Sequence, residues 1–231
     1  MTIDLAGRAV MPGLIDAHAH MDRKGLKSLH PSLAGARSID DVLQLTRDEI
    51  HRMRDLGVVV TTHTNRYLSK EGELLKSRVG ATAEDTIVPL RSLAEAGVRV
   101  ALATDNVPTS LFHPVWQAVA RVDRYSGRVI APAQRLSREH ALRAATLEGA
   151  WLTFEEGEKG SVEPGKLADL VVLSANPLTC DEARIPDITA EVTIVGGRIV
   201  FAAETVKSSG PRGGAGLSDH GARSVIPRGA V

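Results

Sequence analysis

Two histidines stand one residue apart at the end of an apolar run, in the segment LIDAHAHMD. A β-strand sends residues i and i+2 to the same face, so His18 and His20 would present two imidazole rings side by side. Paired imidazoles can hold a divalent metal, and the small residues Ala17 and Ala19 leave room beside the rings. The pair is equally compatible with polar residues facing solvent at the end of a strand, so the spacing alone leaves both interpretations open.

Polar side chains also follow two later segments that have the composition of buried strands. The β-branched run 58–62 ends at His63, and the run 98–103 ends at Thr104 and Asp105. Because the carboxyl ends of parallel strands meet at one edge of a sheet, we expect His63 and Asp105 to lie near the histidine pair. Taken alone, Asp105 is as well explained as the cap of a turn.

Capping and turn signals place helices between these strands, and the alternation of strand and helix predicts a parallel α/β sheet. The first strand is predicted over residues 9–17, and a polar loop follows His63. Helices are predicted over residues 49–55 (ended by Gly57), 84–96 (ended by Gly97), 113–123 and 138–149 (capped by Ser137).

The pattern changes after Gly149 to short strands and turns. A strand is predicted over 168–173, and residues 191–195 and 198–202 flank Gly196 and Gly197, a two-residue hairpin signal. These segments predict a small antiparallel sheet.

Composition excludes some function classes. The 231 residues carry 28 basic and 28 acidic side chains, so no excess charge indicates a nucleic acid or an anionic membrane as partner. The single cysteine, Cys180, forms no intrachain disulfide, and no leader or long apolar span is recognisable. We therefore expect a cytoplasmic protein.

Three ordered motifs carry a resemblance to a known family. VMPGLIDAHAHMD resembles the first barrel strand of the amidohydrolase superfamily, and VRVALATDNVP resembles its last strand. KGSVEPGKLADLVVLSANPLT is similar to the return of the chain into the flanking β-sandwich. The likeness extends from Ala9 to Ala203 and is strongest to the branch that contains N-substituted formamide deformylase.

The resemblance implies a metal-dependent hydrolase of carbon–nitrogen bonds other than peptide bonds. It implies that His18, His20 and Asp105 bind a divalent metal, usually zinc, and that Asp105 also serves as the general base toward the activated water. For His63 and His113 we expect substrate contact, with plain packing as the alternative for His63. A deaminase or a cyclic-amide hydrolase of the same superfamily is the second candidate.

Length argues for an internal truncation of the family's TIM-type (β/α) barrel. A complete barrel needs eight strands and about 250 residues, whereas residues 11–154 provide three strand–helix units at most. We predict a partial barrel over 9–154 with a seam near 45–46, a small sheet domain over 155–206 together with 1–8, and a disordered tail over 207–231. An incomplete barrel favours either association with a second copy that completes the pocket, or a catalytically inactive fragment.

Overall fold

The structure, a computed structural model, describes residues 7–15, 48, 50–105 and 110–204. His18 and His20, the predicted seam at 45–46 and the predicted tail over 207–231 therefore lie outside the described residues. The domain boundaries remain predictions.

Two parallel strands form the centre of the first half of the molecule. β2 (Val59–Thr62) pairs in parallel with β3 (Arg99–Leu102), with Thr62 opposite Leu102. Ala101 and Leu102 are fully buried, as the apolar run predicts for a strand covered on both faces. The two strands and their parallel direction are confirmed.

Helices cover this sheet, and their bounds refine those expected from the sequence. The α-helices are α1 (residues 50–55), α2 (Gly72–Val79), α3 (Leu90–Glu95), α4 (Phe112–Ala120), α5 (Arg138–Ala144) and α6 (Leu147–Leu152). The helix predicted over 84–96 is divided into a 3₁₀ segment, Ala81–Thr86, and α3. Pro89 has no N–H to continue the helical ladder, and Val88 before it has a positive φ of 47°.

The helix predicted over 138–149 is divided as well. Ser137 caps α5 as expected, its side chain accepting a hydrogen bond from the backbone N–H of His140. The chain leaves helical geometry after Ala144, and the carbonyl of Ala145 accepts a hydrogen bond from the N–H of Ile15 at 3.0 Å. α6 then begins at Leu147.

The prediction of a polar loop after His63 is wrong. A π-helical segment, Asn65–Lys70, leads into α2 instead. Leu68 within it is fully buried against Ile130 and Ile87. Packing of this single apolar side chain, which is too isolated to form a periodic pattern, decides the local structure.

A four-stranded antiparallel sheet occupies the other side of the core, in the order β1, β4, β5, β6. Its strands are β1 (Ala9–Pro12), β4 (Leu170–Leu173), β5 (Ala190–Val195) and β6 (Arg198–Ala202). Gly196 and Gly197 both have positive φ, 54° and 77°, which is the geometry that a two-residue hairpin demands. The small antiparallel sheet is confirmed.

The first strand differs from its prediction in both length and partner. Residues 9–17 are predicted as a barrel strand, but β1 ends at Pro12 and pairs with β4 of the small sheet. Pro12 has no N–H for a further ladder bond, and Gly13 donates instead to the carbonyl of Asp169. Among the described residues there are two parallel strands and no closed barrel.

One core joins the two sheets. Met11 and Leu173 of the small sheet belong to the same buried cluster as Leu102 of β3 and Phe112 of α4. Within the described part of the chain, no helix has the length and apolar character that a bilayer crossing requires.

A buried arginine ties the loops under α4 together. Arg121 has no exposed surface, and its guanidinium donates to the carbonyls of Ile130 (2.8 Å), Val88 (3.1 Å), Gln134 (3.3 Å) and Ile87 (2.6 Å). Burial lowers the pKa of Arg121 to about 10, so the group is still protonated at neutral pH.

Candidate functional site

Two predicted site residues meet at the carboxyl edge of the parallel sheet. His63 directly follows β2 and Asp105 lies just beyond β3, with the sheet extended one step by the hydrogen bond from Ala103 N–H to the Thr62 carbonyl. Nδ1 of His63 lies 3.6 Å from a carboxylate oxygen of Asp105, and each side chain is 17% exposed. Parallel pairing thus brings together two groups that are 42 positions apart in the chain.

Asp105 has an uncommon backbone conformation for a residue other than glycine. Its φ is 49°, in the left-handed region, where aspartate is one of the few residues found with any frequency. Thr104 before it is buried with 3% of its surface exposed. The turn therefore begins at the sheet edge and fixes where the carboxylate projects.

A second pair lies beside the first. Nδ1 of His113, at the start of α4, lies 2.7 Å from Oδ1 of Asn65. The amide nitrogen of Asn65 donates to the carbonyl of Thr104 at 3.5 Å, which links this pair to the residue before Asp105. A continuous chain of contacts therefore runs from His113 through Asn65 to the end of β3.

The start of α4 is anchored to the end of β2. Thr64, which is fully buried, donates from its hydroxyl to the carbonyl of Pro114 at 3.3 Å. The Ser110 hydroxyl accepts from the N–H of Phe112 and holds the entry to the helix. These two bonds fix His113 relative to the sheet edge.

His113 is an electrically neutral ring at neutral pH. Burial of the half-buried ring, together with the positive charge of Arg124, lowers the pKa of His113 below its ordinary value. Its ring lies edge-on to Trp116, with 5.5 Å between the ring centroids. Burial and the charge of Arg124 both disfavour a second proton on the imidazole.

The sequence did not single out Asn65 or Thr64. Both follow His63 within the string THTN, where polar residues continue past the strand end. That continuation is the one available signal, since a loop assigned to this stretch gave no reason to place either side chain inward.

Among the described residues, no group of three or more His, Cys, Asp or Glu side chains is arranged to hold a metal. His63 and Asp105 offer one nitrogen and one oxygen donor at the sheet edge. A catalytic zinc site commonly uses three protein ligands and a water molecule. Within the described residues, this pair of donors is fewer than such a site commonly uses.

Comparison with known proteins decides the family. The model of a family described as the Amidohydrolase family matches residues 1–49 and 32–201 of the chain. This chain belongs to the amidohydrolase family. The two matched stretches overlap at residues 32–49, and the structure describes only residue 48 of this overlap.

The chain is also similar to two named enzymes. The chain is 33% identical over 150 residues to N-substituted formamide deformylase of Arthrobacter pascens, covering 63% of this chain and 27% of that protein. It is 28% identical over 141 residues to imidazolonepropionase of Streptococcus gordonii, covering 61% of this chain and 29% of that protein. The chain thus spans less than a third of the length of these two relatives.

A solved structure shows a likeness of fold. An uncharacterised metal-dependent hydrolase from Pyrococcus horikoshii superposes with a TM-score of 0.51 at 21% identity, over 63% of this chain and 32% of that one. At this identity the likeness concerns the fold alone. The described part of this amidohydrolase is a mixed α/β fragment of that fold with a small antiparallel sheet.

Proposed function

We propose that this chain hydrolyses a carbon–nitrogen bond of a small amide or formamide, with a divalent metal, by preference zinc, held by His18, His20 and Asp105. The observation that carries the proposal is the meeting of His63 and Asp105 at the carboxyl edge of β2 and β3 in a member of the amidohydrolase family. That edge is where β/α folds assemble their sites.

The proposed chemistry divides among the residues of this edge. A bound metal supplies a water whose pKa is lowered toward neutrality and a positive charge next to the carbonyl oxygen. Asp105 accepts the proton of the attacking water and returns it to the leaving nitrogen, as a carboxylate within hydrogen-bond reach can do. His63 and His113 contact the substrate.

The substrate class comes from the relatives. The name of the Arthrobacter protein specifies an N-substituted formamide, and the name of the streptococcal protein specifies a cyclic imidazolone. The higher identity to the formamide enzyme favours an acyclic amide as the first substrate to assay. The cyclic-amide and deaminase reactions remain outcomes of the same assay.

Metal content and hydrolysis test the proposal together. We expect about one equivalent of zinc, iron or manganese per chain, lost in the His18→Ala/His20→Ala double variant. Asp105→Asn should lower formamide hydrolysis by a factor of about 10²–10⁴, the usual contribution of a general base. His51→Ala/His140→Ala is the matched control, because both histidines are exposed helix residues, and it should leave metal and activity unchanged.

Each contrary result has a distinct meaning. A folded chain without metal contradicts the proposal and identifies the chain as an inactive fragment of its family. Bound metal with hydrolysis of a cyclic amide or a deamination, but no formamide hydrolysis, moves the reaction to the second candidate. Measurement of the molecular mass in solution, on the same sample, shows whether activity accompanies association of two copies.

A further inference from the structure

The ring of His113 makes one hydrogen bond in the described part of the chain, through Nδ1 to Asn65. Within these residues its other nitrogen, Nε2, has no hydrogen-bond partner. Which nitrogen carries the proton therefore determines whether Nε2 can donate or accept.

The amide of Asn65 settles the position of that proton. Its nitrogen donates to the carbonyl of Thr104, so its oxygen is the atom that faces His113. An amide oxygen only accepts hydrogen bonds, and Nδ1 of His113 must therefore donate. With Asn65 only 4% exposed, water does not replace the carboxamide in this role.

The surroundings of the ring keep it to a single proton. Burial and the charge of Arg124 both disfavour the imidazolium. A neutral ring protonated on Nδ1 carries a lone pair on Nε2. His113 thus offers a hydrogen-bond acceptor to anything that approaches that nitrogen.

We infer that Asn65 holds His113 in the Nδ1–H form so that Nε2 accepts a hydrogen bond from an N–H group of the substrate. An acceptor recognises an N–H and gives no such bond to an ester or an N,N-disubstituted amide, so the site selects amides that carry at least one N–H. This inference rests on the proposed function, which assigns His113 to the substrate pocket. Asn65 acts as a positioning residue, since it touches the histidine and not the substrate.

Nitrogen NMR of the histidine rings tests the tautomer without any need for turnover. In protein labelled with ¹⁵N-histidine, correlation of ring protons with ring nitrogens distinguishes a protonated from an unprotonated nitrogen. The His113 signals are assigned by their absence in His113→Gln. We expect a protonated Nδ1 and an unprotonated Nε2 at pH 7; a proton on Nε2, alone or with one on Nδ1, overturns the inference.

Two substitutions at position 65 separate positioning from folding. Asn65→Asp retains an oxygen acceptor, so Nδ1–H should persist while the added negative charge raises the pKa of His113. Asn65→Leu removes the acceptor, so the fixed tautomer should be lost. Asn176→Asp is the matched control, because Asn176 caps a remote turn through the N–H of Leu178. If Asn65→Leu does not fold, loss of Nδ1–H in Asn65→Asp still contradicts the positioning role.

Two small amides test the acceptor role of Nε2. N-methylformamide, which has an N–H, should shift the Nε2 resonance, and N,N-dimethylformamide should do so at least about tenfold more weakly, as expected for one lost hydrogen bond. Equal responses, or none, overturn the inferred selectivity. A correct tautomer and selective binding without any hydrolysis would count against the proposed function alone.

Discussion

At the scale of single residues, the predictable side chains are those that end strands. His63 and Asp105 were expected at one edge because apolar runs stop at them, and the structure places them 3.6 Å apart. Asn65 and Arg121 gave no such signal. An arginine that follows an apolar helix is normally read as exposed, and its burial depends on four carbonyls contributed by distant segments.

Arg121→Met should be strongly destabilising. The substitution removes the donor of the Ile130, Gln134 and Ile87 carbonyls, and each unsatisfied group costs about 1–3 kcal/mol. The Val88 carbonyl keeps its hydrogen bond from the N–H of Leu90. We expect the free energy of unfolding to fall by at least about 3 kcal/mol, which is a large part of the total for a typical domain. Urea unfolding followed by circular dichroism measures the loss.

Arg91→Met is the control for this substitution. Arg91 forms a salt bridge with Glu95 one helical turn away, and both side chains are more than half exposed. Its removal should cost less than about 1 kcal/mol. Similar losses in the two variants would contradict the structural role given to Arg121.

At the scale of elements, strands and capped helices were predictable from local signals. β2, β3 and the hairpin of β5 and β6 follow from β-branched runs and from a Gly-Gly turn. The π-helical segment 65–70 and the short β1 were not, because both depend on tertiary partners. Leu68 needs the pocket made by Ile130 and Ile87, and β1 needs β4.

Gly72→Ala should destabilise the protein although it replaces a glycine within a helix. An added Cβ would come within 2.7 Å of Cγ1 of Ile130, a side chain with no exposed surface. Overpacking of this kind costs about 1–3 kcal/mol. The thermal midpoint and the urea midpoint should both fall.

Gly157→Ala provides the comparison for the added methyl group. Nothing lies within 4 Å of a Cβ built on Gly157. This variant should keep the stability of the parent chain within about 0.5 kcal/mol. A stabilised Gly72→Ala protein would show that α2 does not pack against Ile130 as described.

At the scale of the whole molecule, the free energy of unfolding should depend on pH through the carboxyl group of Asp123. Burial acts to raise the pKa of Asp123, but hydrogen bonds from the backbone N–H groups of Ser126, Glu73 and Tyr125 outweigh it and lower that pKa. A carboxylate whose pKa is lower in the folded chain stabilises the protein at pH values above its unfolded-state pKa, which is near 4. This stabilisation is lost as the pH falls through the folded-state pKa.

Asp123→Asn should therefore have a lower free energy of unfolding than the parent at pH 7. The difference between the two proteins should become smaller as pH drops below about 4. Urea titrations at a series of pH values measure this narrowing. Asp55→Asn, which removes an exposed carboxylate paired with Arg54, is the control for the loss of one surface charge. A gap that stays constant from pH 7 to pH 3 would contradict the lowered pKa.

The sequence identified the family and a mixed α/β architecture, and both are confirmed. It could not predict how the elements pair and pack, since periodicity reports which face of an element is buried and not what buries it. The segment 9–17 shows this limit: its apolar character suits a barrel strand, but Met11 packs into a core shared with the small sheet.

The pairing of β1 with β4 has a consequence for synthesis of the chain. Ala9 lies opposite Leu173, so β1 has no strand to pair with until roughly 160 further residues have been made. At about 5–20 residues per second, β1 leaves the ribosome on the order of ten seconds before its partner. Throughout that interval Val10 and Met11 are available to chaperones, and the small sheet cannot form in full until β6 has also been made.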